Sequence, residues 1–118
     1  FVLVNYSNPD MIGHTGNFQA AKEAIACVEK QAYALALANI MAGGDCIITA
    51  DHGNAEYMID EKGNKVTSHT TNPVPVIIAS ENHKKIKLIK NGSIANIAPT
   101  VLKLLGIEIP KNMGKPLF

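Results

Sequence analysis

Five side chains of types that hold divalent metals are singled out in this sequence because each stands beside a short apolar run. Asp51 and His52 end the run Ile47-Ile48-Thr49-Ala50, Asp10 and His14 follow Phe1-Val2-Leu3-Val4, and His69 comes just before Val74-Pro75-Val76-Ile77-Ile78. In α/β proteins ligands bind in the crevice beyond the carboxyl ends of the strands. Two carboxylates and three imidazoles in such places suggest a metal site that does chemistry. Asp with His, and no cysteine cluster, suits borderline or hard ions such as Mn²⁺ or Zn²⁺.

The spacings divide these residues into two groups. Asp10 and His14 are four apart, so both can point into one cavity if the turn between them is helical. His69 completes a three-ligand set from another loop. Asp51 and His52 are adjacent, and neighbours on a regular strand face opposite ways. They converge only where the strand ends, and Gly53 is expected to relax the backbone there. The pattern is one nearly complete site and one half site. His83 lies in a polar, lysine-rich turn with no carboxylate beside it and is not a candidate.

The elements that must position these residues follow from periodicity and turn chemistry. Residues 1–6 read as a buried strand, and Ser7-Asn8-Pro9-Asp10 is a turn, with Gly13 and Gly16 keeping the next segment irregular or only briefly helical. From Phe18 to Ala42 the pattern is helical: Ala21, Ile25, Val28, Ala32 and Leu35 recur at three- and four-residue spacing, and Gly43-Gly44 stops the helix. A second strand spans Cys46 to Ala50. A hairpin with Glu61-Lys62-Gly63-Asn64 at its tip joins Tyr57-Met58-Ile59 to Lys65-Val66-Thr67. The third strand is Val74 to Ala79, with Pro73 and Pro75 at its entrance. Residues 86–93 suggest a short hairpin turning at Asn91-Gly92. Asn96 is expected to cap a helix through Leu105, with Pro99 in its first turn and Gly106 ending it. Apolar strands alternating with a helix predict an α/β fold, a three-layer sandwich around a mainly parallel sheet.

Composition narrows the class of protein. The 118 residues allow one domain, spanning 1–118, and 47% hydrophobic with 18% charged residues is the balance of a folded globular chain. A formal net charge of +1 gives no global attraction to nucleic acid or to an anionic membrane. The basic stretch His83-Lys84-Lys85-Ile86-Lys87 lacks interleaved aromatics and reads as a solvated turn. No apolar run is long enough to span a bilayer. Cys27 and Cys46 are too few for a disulfide framework and are expected to be free, buried thiols, which suits a reducing cytoplasm. Phe1 is not an initiator methionine, and the chain opens inside an apolar stretch, so a longer protein is expected upstream.

Three longer motifs sharpen the reading. Residues 5–16 (Asn-Tyr-Ser-Asn-Pro-Asp-Met-Ile-Gly-His-Thr-Gly), residues 49–56 (Thr-Ala-Asp-His-Gly-Asn-Ala-Glu) and residues 69–76 (His-Thr-Thr-Asn-Pro-Val-Pro-Val) resemble the cofactor-independent phosphoglycerate mutases of the alkaline phosphatase superfamily. The segment from Ile97-Ala98-Pro99-Thr100 through Met113-Gly114 is similar to that family's carboxyl terminus, so the resemblance runs nearly end to end. The run His69-Thr70-Thr71-Asn72-Pro73 and the Asn-rich 5–9 segment favour this group over phosphatases and phosphopentomutases of the same superfamily. A small non-catalytic metal-binding module is the remaining alternative.

The resemblance implies the carboxyl-terminal portion of an alkaline-phosphatase-like domain. It implies an isomerase that interconverts 2- and 3-phosphoglycerate through a phosphoserine at a centre of two divalent ions, usually manganese. By the same resemblance Asp10, His14 and His69 match the ligands of one metal, and Asp51 and His52 match two ligands of the other. The nucleophilic serine and a further aspartate belong to the family's amino-terminal part, and the substrate-gripping residues to an inserted domain. Ser7, Ser68, Ser80 and Ser93 do not match, so no catalytic nucleophile is expected in this chain, and Asn96 stands where the family pattern has Asp. The expected picture is a cytoplasmic, monomeric parent enzyme, from which this piece alone is inactive and prone to self-association through unpaired strands.

Overall fold

The computed structural model describes all 118 residues, and Phe1–Ala79 and Ser80–Phe118 form two compact units. The first contains α1 (Asn8–Gly13), α2 (Phe18–Met41), β1 (Cys46–Thr49) and β2 (Val76–Ala79). No helix is long and apolar enough to cross a membrane.

Helix α1 carries Pro9 in its first turn, where the missing N–H costs nothing. The His14 N–H closes onto the Asp10 carbonyl at 3.0 Å, so helical geometry continues just far enough to set Asp10 and His14 one turn apart on one face. Gly16, at φ 62°, then reverses the chain. Asn17 caps α2 by accepting the Ala20 N–H at 3.1 Å, and Gly43, at φ 82°, ends it.

Helix α2 packs against α1 and β1, but through a different stripe from the one its larger residues suggest. The covered positions are Ala21, Ala24, Val28, Ala32, Ala36 and Ile40, whereas Ile25 and Leu35 are exposed. The small side chains lie at four-residue spacing and let neighbouring elements approach closely. Phe18, Tyr33, Leu37 and Met41 are exposed as well, so the helix is apolar on more than one side, as in helices covered all round. Cys27 lies off the covered stripe and is exposed, while Cys46 is half-buried. Both thiols are free as expected, but neither is in a closed core.

The sheet has two strands, and they run antiparallel: Cys46 pairs with Ala79, Ile47 with Ile78, Ile48 with Ile77 and Thr49 with Val76. A parallel pair needs a crossover, usually a helix, and the segment 50–75 that connects these strands contains none. The chain is thus α/β with a small sheet, and its one strand pair departs from the mainly parallel order expected. Residues 1–6 form no strand, and Phe1, at 84% exposure, is almost wholly in solvent. A strand without a neighbour has no ladder to pair its backbone groups. The hairpin around residues 60–64 is present in reduced form, as an Ile59–Lys65 bridge closed by Asp60 N–H to the Asn64 carbonyl at 2.9 Å.

In the second unit a 3₁₀ turn over Ile94–Asn96 leads into α3 (Ile97–Leu104), and Gly106, at φ 67°, ends it. Asn96 does not cap α3 through its side chain. Its Oδ1 accepts the Ser93 N–H at 2.6 Å and its Nδ2 donates to the Lys115 carbonyl at 2.8 Å. The expected hairpin over 86–93 keeps only its bend, with Asn91 at φ 60°; the Ile89 N–H pairs instead with the Leu117 carbonyl at 2.7 Å. Thr100 is fully buried, its hydroxyl donating to the Asn96 carbonyl at 2.6 Å and accepting the Leu117 N–H at 2.8 Å. This hydroxyl joins the carboxyl-terminal tail to α3 from the buried side, and Lys103 Nζ joins it at the surface by donating to the Phe118 carbonyl at 2.6 Å. Thr100→Val keeps the shape and leaves the Leu117 N–H unpaired, and is expected to cost about 1–3 kcal/mol in urea unfolding.

Candidate metal centre

Three segments distant in sequence bring the candidate ligands together: α1, the loop after β1 and the loop before β2. Nε2 of His14 and Nε2 of His69 each lie beside Asp10 Oδ1, at 3.2 and 3.1 Å, and the two nitrogens are 3.1 Å from one another. His52 joins this group. Its ring stacks on His69 at 3.7 Å between centroids with 17° between planes, and Asp10, His52 and His69 each offer a ligand atom within 4.8 Å of the others.

The arrangement of protons decides what such a cluster can do. His14 Nδ1 lies 2.5 Å from the Thr67 carbonyl, an oxygen that can only accept, so Nδ1 carries the proton. In the neutral ring Nε2 then has a lone pair, facing the carboxylate rather than donating to it. This accounts for Asp10 Oδ1, which is buried and has no hydrogen-bonded partner despite the two close nitrogens. His14 Nε2 has no proton to give it, and the His69 Nε2–H is directed to His14 Nε2 at 3.1 Å instead. An orphaned buried carboxylate oxygen is costly, and a cation resolves the cost.

The separations fit that reading. Ligand atoms at ~2.0–2.2 Å from one ion stand roughly 2.8–3.6 Å apart at octahedral or tetrahedral angles. The three contacts of 3.1–3.2 Å fall in that range. The hydrogen bond from His14 to a backbone carbonyl is also the outer support that orients most metal-binding histidines. The residues present therefore fit a divalent ion.

Asp51 stands apart from this group. Its carboxylate is 3.7 Å from His52 Nε2, and its side chain is 79% exposed. Both residues follow the end of β1, where strand alternation no longer separates them. Gly53 plays a part other than the one expected. Its φ is not in the left-handed region, but a side chain there would collide with the Thr70 hydroxyl and the Glu56 carboxylate. It is small because two loops meet over it.

That meeting involves residues other than the candidate ligands. Glu56 Oε2 accepts the Asn54 N–H at 2.6 Å, and Oε1 accepts the Thr70 hydroxyl and Asn72 Nδ2, the latter at 3.0 Å. Asn54 is buried and rests on Gly13, where any side chain would overlap its amide oxygen. The one available signal was a run of polar residues directly after an apolar strand, and spacing alone does not say which of them touch. The Thr70 hydroxyl, helped by Asn72 and the backbone and only partly opposed by burial, holds the Glu56 carboxyl below the usual glutamate range. A depressed carboxyl stabilises the fold above its unfolded value of about 4.3, and that contribution is lost as pH falls through the folded value. Melting temperatures of the unsubstituted chain and Glu56→Gln should therefore differ fully above ~pH 4.3 and converge below it.

Comparison with known proteins adds a family. The pattern of the Metalloenzyme superfamily matches residues 1–109. The chain is 48% identical over 125 aligned positions to the 2,3-bisphosphoglycerate-independent phosphoglycerate mutase of Synechococcus sp. (strain JA-2-3B'a(2-13)), covering 99% of this chain and 24% of that protein. It is 49% identical over 115 positions to the enzyme of the same name from Gracilaria tenuistipitata var. liui, covering 97% and 22%. A crystal structure of Leishmania mexicana phosphoglycerate mutase at low cobalt concentration superposes with a TM-score of 0.85 at 32% identity, over 96% of this chain and 24% of that one. The chain thus spans about a quarter of the length of the relatives it matches, and it shares the fold of the matching part.

Proposed function

The chain belongs to the Metalloenzyme superfamily, and from that premise we propose that it is the carboxyl-terminal, metal-holding segment of the phosphatase-like domain of a phosphoglycerate mutase independent of 2,3-bisphosphoglycerate. The parent's reaction is the isomerisation of 2- and 3-phosphoglycerate through a phosphoserine, a step of glycolysis. The observation that carries the metal part of this reading is the closure of Asp10, His14 and His69 to 3.1–3.2 Å. The names of relatives at 48–49% identity support the substrate.

In this proposal Asp10, His14 and His69 hold one ion, while His52 and Asp51 offer two ligands to a second, with Mn²⁺ the ion of choice. Bound divalent ions supply positive charge that neutralises a transferring phosphoryl group and its attacking oxygen. The chain's own residues arrange the donors. Asp10 faces both imidazole nitrogens, the Thr67 carbonyl keeps the His14 proton on Nδ1, and His52 covers one face of His69. The serine nucleophile and a further aspartate lie outside these 118 residues, so the isolated chain has no mutase activity.

Two free cysteines support a reducing, cytoplasmic setting, and a net charge of +1 supports no nucleic-acid role. The parent acts as a monomer on phosphoglycerate. The isolated chain self-associates, a reading supported by the exposure of Phe1, Val2, Leu3 and the apolar residues of α2.

Calorimetric titration with Mn²⁺ is expected to show binding by the chain and none by Asp10→Ala; equal binding by both rejects the ligand assignment. Light scattering at high micromolar concentration should detect particles larger than one chain, and a strictly monomeric species contradicts the self-association.

A further inference from the structure

The ligand-bearing segments are joined by little regular structure. The loop that carries His52 and the loop that carries His69 share a single backbone bridge, Thr70 N–H to the Gly53 carbonyl at 2.9 Å. Helix α1, which carries Asp10 and His14, belongs to no sheet. The His14 Nδ1–H bond to the Thr67 carbonyl joins α1 to the His69 loop, but the convergence of the ligand atoms to 3.1–3.2 Å needs further contacts, above all with the His52 loop.

Glu56 and Asn54 touch all three. The Glu56 carboxylate grips the His52 loop through the Asn54 N–H at 2.6 Å, and the His69 loop through the Thr70 hydroxyl and Asn72 Nδ2. Asn54, only 6% exposed, lays its side-chain amide against Gly13, the residue before His14. The Asn54 carbonyl accepts the Tyr57 N–H at 3.1 Å, which closes the turn that returns Glu56 towards its partners.

We propose that Glu56, acting with Asn54, is a positioning residue of the metal centre: it clasps the His52 and His69 loops to one another and, through Asn54 on Gly13, to α1. The proposal rests on the reading that Asp10, His14, His69 and His52 hold a divalent ion. Glu56 itself is not a ligand, because both its oxygens are already engaged. The residue type is specific to the task. Three donors converge on it, and a carboxylate offers acceptors only, with charge strengthening each bond. A glutamine must turn its NH₂ towards at least one of those donors. The small residues at 13 and 53 belong to the same device, since a side chain at either would force its parts apart.

The test uses the full 118-residue chain, with Mn²⁺ affinity by calorimetry and the visible absorption of bound Co²⁺ as a report on ligand geometry. Glu56→Gln is expected to weaken Mn²⁺ binding about 10–100-fold, the range for outer-shell partners, and to shift the Co²⁺ spectrum at saturating metal. Thr70→Val removes one donor but keeps the Thr70 N–H bridge, and should change both in the same direction by less. If Glu56→Gln lowers the melting temperature but leaves affinity and spectrum unchanged, Glu56 only supports the fold and the proposal is overturned. Should Glu56→Gln fail to fold, unchanged affinity and spectrum in Thr70→Val overturn it equally. Asp10→Ala run in parallel separates the two readings. An unsubstituted chain that binds no better than Asp10→Ala rejects the metal assignment, and the clasp with it. An unsubstituted chain that binds better than Asp10→Ala, beside Glu56→Gln and Thr70→Val chains that bind as well as it does, rejects the clasp alone.

Discussion

Three electron-pair donors held within 3.2 Å of one another are the constraint around which the first unit is arranged. A carboxylate oxygen and two imidazole nitrogens have no reason to gather unless protons or a cation lie among them. The Thr67 carbonyl fixes one of those protons on the far side of His14, which leaves its near side as an acceptor for His69 Nε2 at 3.1 Å, beside the Asp10 carboxylate. Such a gathering of donors is one that a divalent ion would suit, and binding of an ion there would be coupled to the local order of the loops.

The architecture around this point is economical in regular structure. Helix α1 is only long enough to set Asp10 and His14 one turn apart, and a two-stranded sheet is only wide enough to bring the end of β1 beside the start of β2. Precision comes from polar side chains in the loops, because four residues of ladder per strand do not extend to the histidines. Glu56, Thr70, Asn72 and Asn54 extend it by other means. Two glycines, at positions 13 and 53, give them room. The second unit shows the same habit at Thr100, where one buried hydroxyl joins a helix to the tail.

How far the sequence could be read depended on the range of the interaction involved. Helices α2 and α3 were legible because periodicity and stop signals are local: Gly43 ends one, and Pro99 and Gly106 mark the other. The candidate ligands were legible because Asp and His beside apolar runs are few. The covered face of α2 was legible only in part: Ala21, Val28 and Ala32 lie on it as expected, but Ile25 and Leu35 do not, and close packing selected Ala24 and Ala36 instead. The antiparallel sense of the sheet was not legible, because it depends on whether residues 50–75 contain a crossover helix. Residues 1–6 have strand composition but no neighbouring strand, and composition cannot supply one.

By itself the sequence determined the ligand types, the four-residue step from Asp10 to His14, the family motifs and the local helix boundaries. All of these are encoded within a few consecutive residues. Only the tertiary structure decided that His52 stacks on His69, that Asp51 stands apart from the group around Asp10, and that Glu56 ties the two loops together. Those facts depend on contacts between segments 14 to 60 residues apart, whose geometry is set by the packing of the chain on itself. No local pattern can carry that information.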